Sequence, residues 1–178
     1  PSTDLAQKSA LYCKGHLEIK GKGSLIVNGK YAHGIKSAEY MQLKNATVKV
    51  SAAVKDGISC DEYFLMESGE LTISGVGDDG IQCDQDGDTN TGETTDHDGE
   101  DSGNIYINGG TLGVTTTVAG AKCIKADSTL VVSDGELTLT ASGGVDTSDS
   151  TDPSYVSALK GGKVLISGGT ITATVKGA

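Results

Sequence analysis

Acidic residues at alternate positions are the clearest chemical signal in this sequence. A polar stretch at residues 84–104 begins DQDGD, and carboxylates recur along the rest of it. Alternate oxygen ligands are what a calcium loop needs, because a calcium ion takes roughly six to eight oxygens. The stretch therefore predicts calcium ligands at Asp84, Asp86, Asp88, Asp98 and Asp101.

Two other interpretations of this acidic stretch are open. An EF-hand loop is rejected, because Gly87 stands one residue before the third acid and no helices flank it. A solvated acidic loop is the commoner fate of a charge run. Calcium is favoured because so acidic a loop within a compact protein would otherwise repel itself.

A 23-residue repeat sets the positions of the carboxylates. The phrases HGIKS, DGISC and DGIQC place Ile35, Ile58 and Ile81 at spacings of 23 residues. Weaker copies complete six repeats, at residues 11–13 (LYC), 122–126 (KCIKA) and 158–161 (ALKG). A fixed period of this size is typical of one structural unit stacked on its own copies.

Each repeat contains three short alternations of apolar and polar residues. In the repeat that starts at Asp56, the apolar pairs are Ile58 with Cys60, Phe64 with Met66, and Leu71 with Ile73. Such alternation predicts short strands. The sequence therefore predicts an all-β parallel β-helix, a solenoid of about six coils of 23 residues. A β-sandwich would not give one period with aligned phrases.

Two insertions interrupt the period. The spacing is 43 residues from Ile81 to Ile124 and 35 residues from Ile124 to Leu159. We predict loops near residues 85–103 and 143–154 of one β-helix domain that spans residues 1–178. Loops on a solenoid usually cluster into its binding face.

The repeat also predicts columns of stacked residues. One column is His33, Asp56, Asp79 and Lys122. Asp56 and Asp79 would lie roughly 5 Å apart on adjacent coils, and they would repel unless a cation or a proton intervenes. Either Lys55 and Lys122 neutralise them in a salt-bridge ladder, or Asp56 and Asp79 share a calcium ion. A further column, Asp61, Asp84 and Asp127, adjoins the acidic stretch.

The cysteines follow the same register. Cys13, Cys60 and Cys83 share one rung position with small residues of the other repeats. This predicts an inward ladder of small buried side chains. A disulfide between Cys60 and Cys83 remains an alternative, because adjacent coils bring the two Cα atoms near the lower end of the disulfide range.

Composition excludes several partners. The net charge is −10, with 24 acidic against 14 basic residues, which argues against nucleic acid and favours cations. We expect no membrane insertion, because no apolar run approaches the roughly 18 residues that a spanning helix needs.

The repeat phrases and the segment TGETTDHDGEDSGNIYINGGTL carry a family resemblance. Over about residues 8–175 the chain resembles secreted bacterial calcium-binding, carbohydrate-binding domains with a right-handed, pectate-lyase-like β-helix. The resemblance implies an extracellular or cell-surface location, binding of acidic or cellulosic plant polysaccharide, and metal ligands at Asp56 and Asp79. The phrase KCI at 122–124 departs from the family's DGI.

Three classes of function follow. The first is a calcium-dependent carbohydrate-binding or adhesive module for acidic plant or cell-surface polysaccharide; without tryptophan, a stacking platform for cellulose is poorly supported. The second is a pectate-type lyase, in which Lys122 or Lys55 would serve as the base because arginine is absent. The third is a structural subunit that stacks end to end into a filament, because both ends lack a polar cap; a segment of a longer solenoid explains them equally well.

Overall fold

Fourteen β-strands form the regular structure of the residues that can be described. The computed structural model describes residues 9–85 and 102–177. Within these ranges the strands are β1 (Ser9–Cys13), β2 (Leu17–Lys20), β3 (Ser24–Asn28), β4 (His33–Ser37), β5 (Met41–Lys44), β6 (Thr47–Ala52), β7 (Ile58–Cys60), β8 (Tyr63–Met66), β9 (Glu70–Ile73), β10 (Ile81–Cys83), β11 (Asn104–Thr116), β12 (Lys122–Ala141), β13 (Ser157–Ile166) and β14 (Thr170–Val175). The prediction of an all-β protein is confirmed. Nowhere in the described ranges is there a helix long and apolar enough to cross a membrane.

The strands pair in parallel along three ladders. The first ladder joins β1, β4, β7, β10, β12 and β13; the second joins β2, β5, β8, β11, β12 and β13; the third joins β3, β6, β9, β11, β12 and β14. Each named strand pair is parallel and joins equivalent positions of successive repeats. In the first ladder, Ile58 pairs with Ile35 on one side and with Ile81 on the other. The predicted alignment of the repeats is confirmed.

The core consists of the apolar residues that alternate along the ladders. Phe64, Met66 and Leu71 are fully buried, as are their equivalents in the repeats on either side. Cys60 and Cys83 face each other across β7 and β10, both buried, and all four cysteines are free thiols. The predicted ladder of small buried residues is therefore present at this rung. The alternative, a disulfide between Cys60 and Cys83, is not formed.

The glycines of the DGI phrases lie where two ladders approach closely. A Cβ atom added to Gly57 would lie 2.5 Å from Cγ2 of Ile73 and 2.7 Å from the carbonyl oxygen of Gly80. Gly34 and Gly80 have equally short approaches to their neighbours. Because Ile73 belongs to the third ladder and Gly57 precedes the first, only a residue without a side chain allows the two ladders to pack here.

The second insertion folds back on itself. Asp146 and Ser154 exchange two backbone hydrogen bonds, of 2.8 and 2.9 Å, and so close the loop between them. The first insertion falls mainly on residues 86–101, which lie outside the described residues. On its described flanks, the N–H of Gln85 donates to the Asp127 carboxylate at 3.2 Å, and the N–H of Ser128 donates to the Gly103 carbonyl at 2.9 Å.

The apolar residues of the first and last repeats in the ladders are more exposed than their equivalents in the inner repeats. Val164 and Ile166 in β13 are 44% and 53% exposed, although their partners Leu130 and Val132 in β12 are fully buried. Leu17, in β2, is partly buried against the core. The apolar face of β13 is a surface on which end-to-end stacking would act, and that stacking stays a prediction.

Substitution of Gly57 tests the packing between the ladders. We expect Gly57→Ala to lower the free energy of unfolding by about 1–3 kcal/mol, the usual cost of overpacking a core. Gly113→Ala is the matched control, because a Cβ at Gly113 would meet nothing within 4 Å. Denaturant titration of both variants measures the difference. Equal stability of the two variants would contradict the close approach.

Candidate functional site: a carboxylate cluster beside a loop pocket

The aspartates of the two DGI phrases are held by the backbone of the neighbouring repeat. Asp56 Oδ1 accepts a hydrogen bond from the N–H of Asp79 at 3.0 Å. Asp79 Oδ1 in turn accepts one from the N–H of Lys122 at 2.6 Å. The structure thus places Asp56, Asp79 and Lys122 in the predicted column. In this column each carboxylate commits one oxygen to the backbone.

A third carboxylate completes a cluster at this position. One side-chain oxygen each from Asp56, Asp78 and Asp79 lies within 4.8 Å of the others. Asp56 and Asp79 are 4% exposed, whereas Asp78 is exposed. The second carboxylate oxygen of Asp56, Oδ2, lies 3.0 Å from Nδ1 of His33. Asp78 was not among the predicted ligands, and the acidic doublet Asp78–Asp79 was the available signal that both carboxylates would meet Asp56.

The cluster carries more negative charge than its surroundings compensate. Burial raises the pKa of Asp79 to about 6, and the nearby carboxylates of Asp78 and Asp56 also raise it, against the lowering effect of the Lys122 N–H. Burial, followed by the charge of Asp56, raises the pKa of Asp78 as well. The ionised cluster is therefore electrostatically costly.

The lysines of this region do not neutralise the cluster by direct contact. Lys122 Nζ donates to the Gly120 carbonyl and to Ser154 Oγ, each at 2.5 Å, and burial lowers the pKa of Lys122. Within residues 9–85 and 102–177, no ion pair joins Lys55 or Lys122 to an aspartate of the cluster. The salt-bridge ladder considered from the sequence is absent from this part of the chain.

The column that contains Asp84 has a different environment. Lys36 Nζ lies 2.9 Å from Asp61, and Lys125 Nζ lies 3.9 Å from Asp84 and 3.6 Å from Asp127. Lysines thus neutralise this column, and Asp84 lies at the opposite end of β10 from Asp79. The structure does not bring Asp84 into the cluster. The other predicted ligands, Asp86, Asp88, Asp98 and Asp101, lie outside the described residues.

A pocket adjoins the cluster through Lys122. Its volume is about 280 Å³, and it is lined by Lys122, Asp152, Pro153, Ser154, Tyr155, Ser157 and Lys160. The lining offers two ammonium groups, two serine hydroxyls, the carboxylate of Asp152 and the ring of Tyr155, which is 62% exposed. The second insertion was expected on the binding face, but the sequence did not single out Tyr155 or Lys160. An aromatic residue directly after that loop was the available signal.

The model of a family described as "Carbohydrate-binding domain-containing protein" matches residues 2–177, and the chain belongs to that family. Comparison with curated proteins and with solved structures found no match. The expectation of a carbohydrate partner is confirmed by the description of the family, which does not specify the sugar.

The pKa of Asp79 predicts an unusual pH dependence of stability. Because its folded-state pKa of about 6 lies above the ordinary value of 3.8, the folded protein binds this proton more tightly than the unfolded chain does. In chelator, the free energy of unfolding should fall by on the order of 3 kcal/mol in total, most of it as pH rises from about 4 to about 6.

Asp79→Asn tests this dependence, because an amide oxygen can still accept the Lys122 N–H. We expect the variant to be more stable than the wild type at pH 7 in chelator and nearly equal at pH 4. Glu70→Gln, at an exposed carboxylate in β9, is the control and should keep the wild-type pH profile. Parallel profiles for Asp79→Asn and the wild type would show that Asp79 is not perturbed.

Proposed function

We propose that this protein is an extracellular or cell-surface, calcium-dependent module that binds acidic polysaccharide. The observation that carries the proposal is the cluster of Asp56, Asp78 and Asp79, which forms no ion pair with a lysine in the described part of the chain and has only His33 beside Asp56. A calcium ion is a hard cation that prefers carboxylate oxygens, and its binding would remove the repulsion within the cluster. Family membership supplies the carbohydrate part of the proposal.

We further propose that the three ladders are the faces of a right-handed parallel β-helix. The support is the pairing of each strand with its equivalent one repeat away, in all three ladders. In such a solenoid, equivalent positions stack along the axis and inserted loops project from the side. The second loop and the carboxylate cluster would then form one continuous binding surface.

The proposed calcium ligands come from the oxygens that the fold leaves available. Asp56 and Asp79 each commit Oδ1 to a backbone N–H, so Oδ2 of Asp79 and the exposed carboxylate of Asp78 are best placed to bind. Calcium takes roughly six to eight oxygens, so water and a ligand carboxylate would complete the shell. The acidic stretch, with Asp84, Asp86, Asp88, Asp98 and Asp101, is the proposed location of further calcium ligands.

Uronate sugars fit this arrangement better than neutral glucans. A uronate carboxylate can bridge to calcium while Lys122 and Lys160 in the adjacent pocket attract its negative charge. Tyr155 can pack against an apolar sugar face, since it is largely exposed. The pocket volume of about 280 Å³ suits one or two sugar units rather than a long chain.

The stacked rings of His16, Tyr40 and Tyr63 do not form a platform for flat cellulose chains. His16 stacks on Tyr40 at 4.2 Å between ring centroids, and Tyr40 stacks on Tyr63 at 4.8 Å. Stacked rings cover each other's faces and present their edges outward. Sugars stack on ring faces, so this column favours the acidic polysaccharide over crystalline cellulose.

Calcium should control both stability and binding. At about 100 times its dissociation constant, calcium should add about 2.7 kcal/mol, which corresponds to a rise in Tm of roughly 5–10 °C for a chain of this size. Binding to polygalacturonate should be lost in chelator and weakened by Asp79→Asn, with Glu70→Gln as the matched control. Thermal unfolding and affinity electrophoresis measure the two effects. Retention of the protein on cellulose in the presence of chelator would refute the mechanism. A Tm that is the same with and without calcium would refute it as well.

A lyase is the second candidate, because Lys122 has a lowered pKa beside the proposed calcium ligands. A neutral lysine can take the proton α to a uronate carboxylate; the electron pair left behind forms a carbon–carbon double bond as the bond to the glycosidic oxygen breaks, and that oxygen takes a proton from water. Two hydrogen bonds from Nζ to Gly120 and Ser154, however, give Lys122 a structural role in anchoring the second loop.

We expect no elimination activity. The unsaturated uronate product of elimination absorbs in the ultraviolet, so continuous absorbance with polygalacturonate and calcium is a direct assay. No rise above the protein-free control is the expected result. A calcium-dependent rise that Lys122→Ala abolishes, in a variant that still unfolds cooperatively, would establish an enzyme.

A further inference from the structure

A second cluster of ligand-type side chains lies at the other end of the first-ladder strands. One ligand atom each from His16, Glu39 and Glu62 lies within 4.8 Å of the others. Glu39 and Glu62 occupy the turns between the first and second ladders, after β4 and β7. The Asp56 cluster precedes β7, so β7 separates the two groups along the chain. The proposed calcium site makes no use of this second cluster.

Glu39 is the unusual member of the cluster. It is 2% exposed, and its buried Oε2 has no hydrogen-bond partner among the described residues. Nε2 of His16 lies only 2.6 Å from this oxygen, and the contact is an ion pair only when the imidazole is protonated. A buried carboxylate oxygen without a donor is costly. Here that oxygen points at an imidazole nitrogen, and the Glu62 carboxylate lies beside them.

Ring stacking holds the imidazole of His16 in place. Its ring lies 4.2 Å from that of Tyr40 with an interplanar angle of 21°, and Tyr40 stacks in turn on Tyr63. The side chain of His16 is 31% exposed, so one side of the cluster is open to solvent. The column of rings thus fixes a nitrogen ligand against a buried oxygen ligand, and an ion can enter from outside.

We propose that His16, Glu39 and Glu62 bind a zinc ion. One imidazole nitrogen with two carboxylate oxygens is a ligand set for zinc and its first-row neighbours, whereas calcium and magnesium take oxygen ligands. Zinc ligands lie about 2.0–2.2 Å from the metal, so ligand atoms of one tetrahedron are roughly 3.3 Å apart. The observed separations, from 2.6 Å to at most 4.8 Å, require only small side-chain adjustments. A fourth position would be open to water or to a ligand.

Metal titration of the whole chain tests this site. Isothermal titration calorimetry with zinc, in buffer that contains calcium, should show a zinc site that depends on these residues. Loss of a second-shell group typically weakens metal binding by about 10- to 100-fold, so loss of a direct ligand in His16→Ala or Glu39→Gln should cost at least about 100-fold. Cobalt, a spectroscopic substitute for zinc, should give visible absorption in the wild type and lose it in both variants.

Glu67→Gln is the charge-matched control. Glu67 is a carboxylate of the neighbouring turn that pairs with Lys44, so its loss should leave the zinc titration unchanged. Metal-free thermal unfolding checks that each variant is folded; if Glu39→Gln is not, His16→Ala carries the test because His16 lies at the surface. A wild-type protein that binds no zinc would overturn the proposal. So would His16→Ala with undiminished zinc affinity, or a Glu67→Gln variant as impaired as the others.

Discussion

The constraint on which this structure depends is the in-register stacking of equivalent residues along parallel ladders. Each ladder places a residue beside its equivalent of the next repeat, as Ile58 lies beside Ile81. Stacking identical apolar residues is favourable, and it builds the core. Stacking identical charges is unfavourable unless some other group intervenes. The chemistry of the surface therefore depends on what stands between the members of each charged column.

The columns meet this constraint in different ways. Lysines lie beside the column of Asp61, Asp84 and Asp127. Asp56 and Asp79 instead receive backbone N–H groups, which stabilise each carboxylate but supply no positive charge. Dipoles of this kind hold the side chains in place without removing the repulsion among them. A position that is fixed and still negatively charged is suited to a cation.

The period of the sequence predicted the register, because 23-residue spacing leaves little freedom in how strands pair. The columns and the small buried cysteines followed from that register. Side-chain directions did not, since a spacing cannot show that Lys122 turns from Asp79 towards Ser154. The grouping of His16 with Glu39 and Glu62 was also missed, because these residues lie in turns outside the strand alternation. The pocket required the path of the second loop, which no repeat specifies.

Repulsion among the carboxylates of the cluster is unfavourable for folding, and the proposed calcium ion would relieve it at a position that solvent can reach. If the cluster lay deep in the core, it could affect only the stability of the fold. Here Asp78 is exposed, and Lys122 connects the cluster to a pocket on the second loop. A cation that enters would stabilise the fold and also offer free coordination positions to a carboxylated sugar. Because binding free energies are linked, a sugar that completes the shell should in turn tighten the hold on the cation. Calcium and acidic polysaccharide would then bind cooperatively, since neither alone satisfies the charge and the coordination of the site.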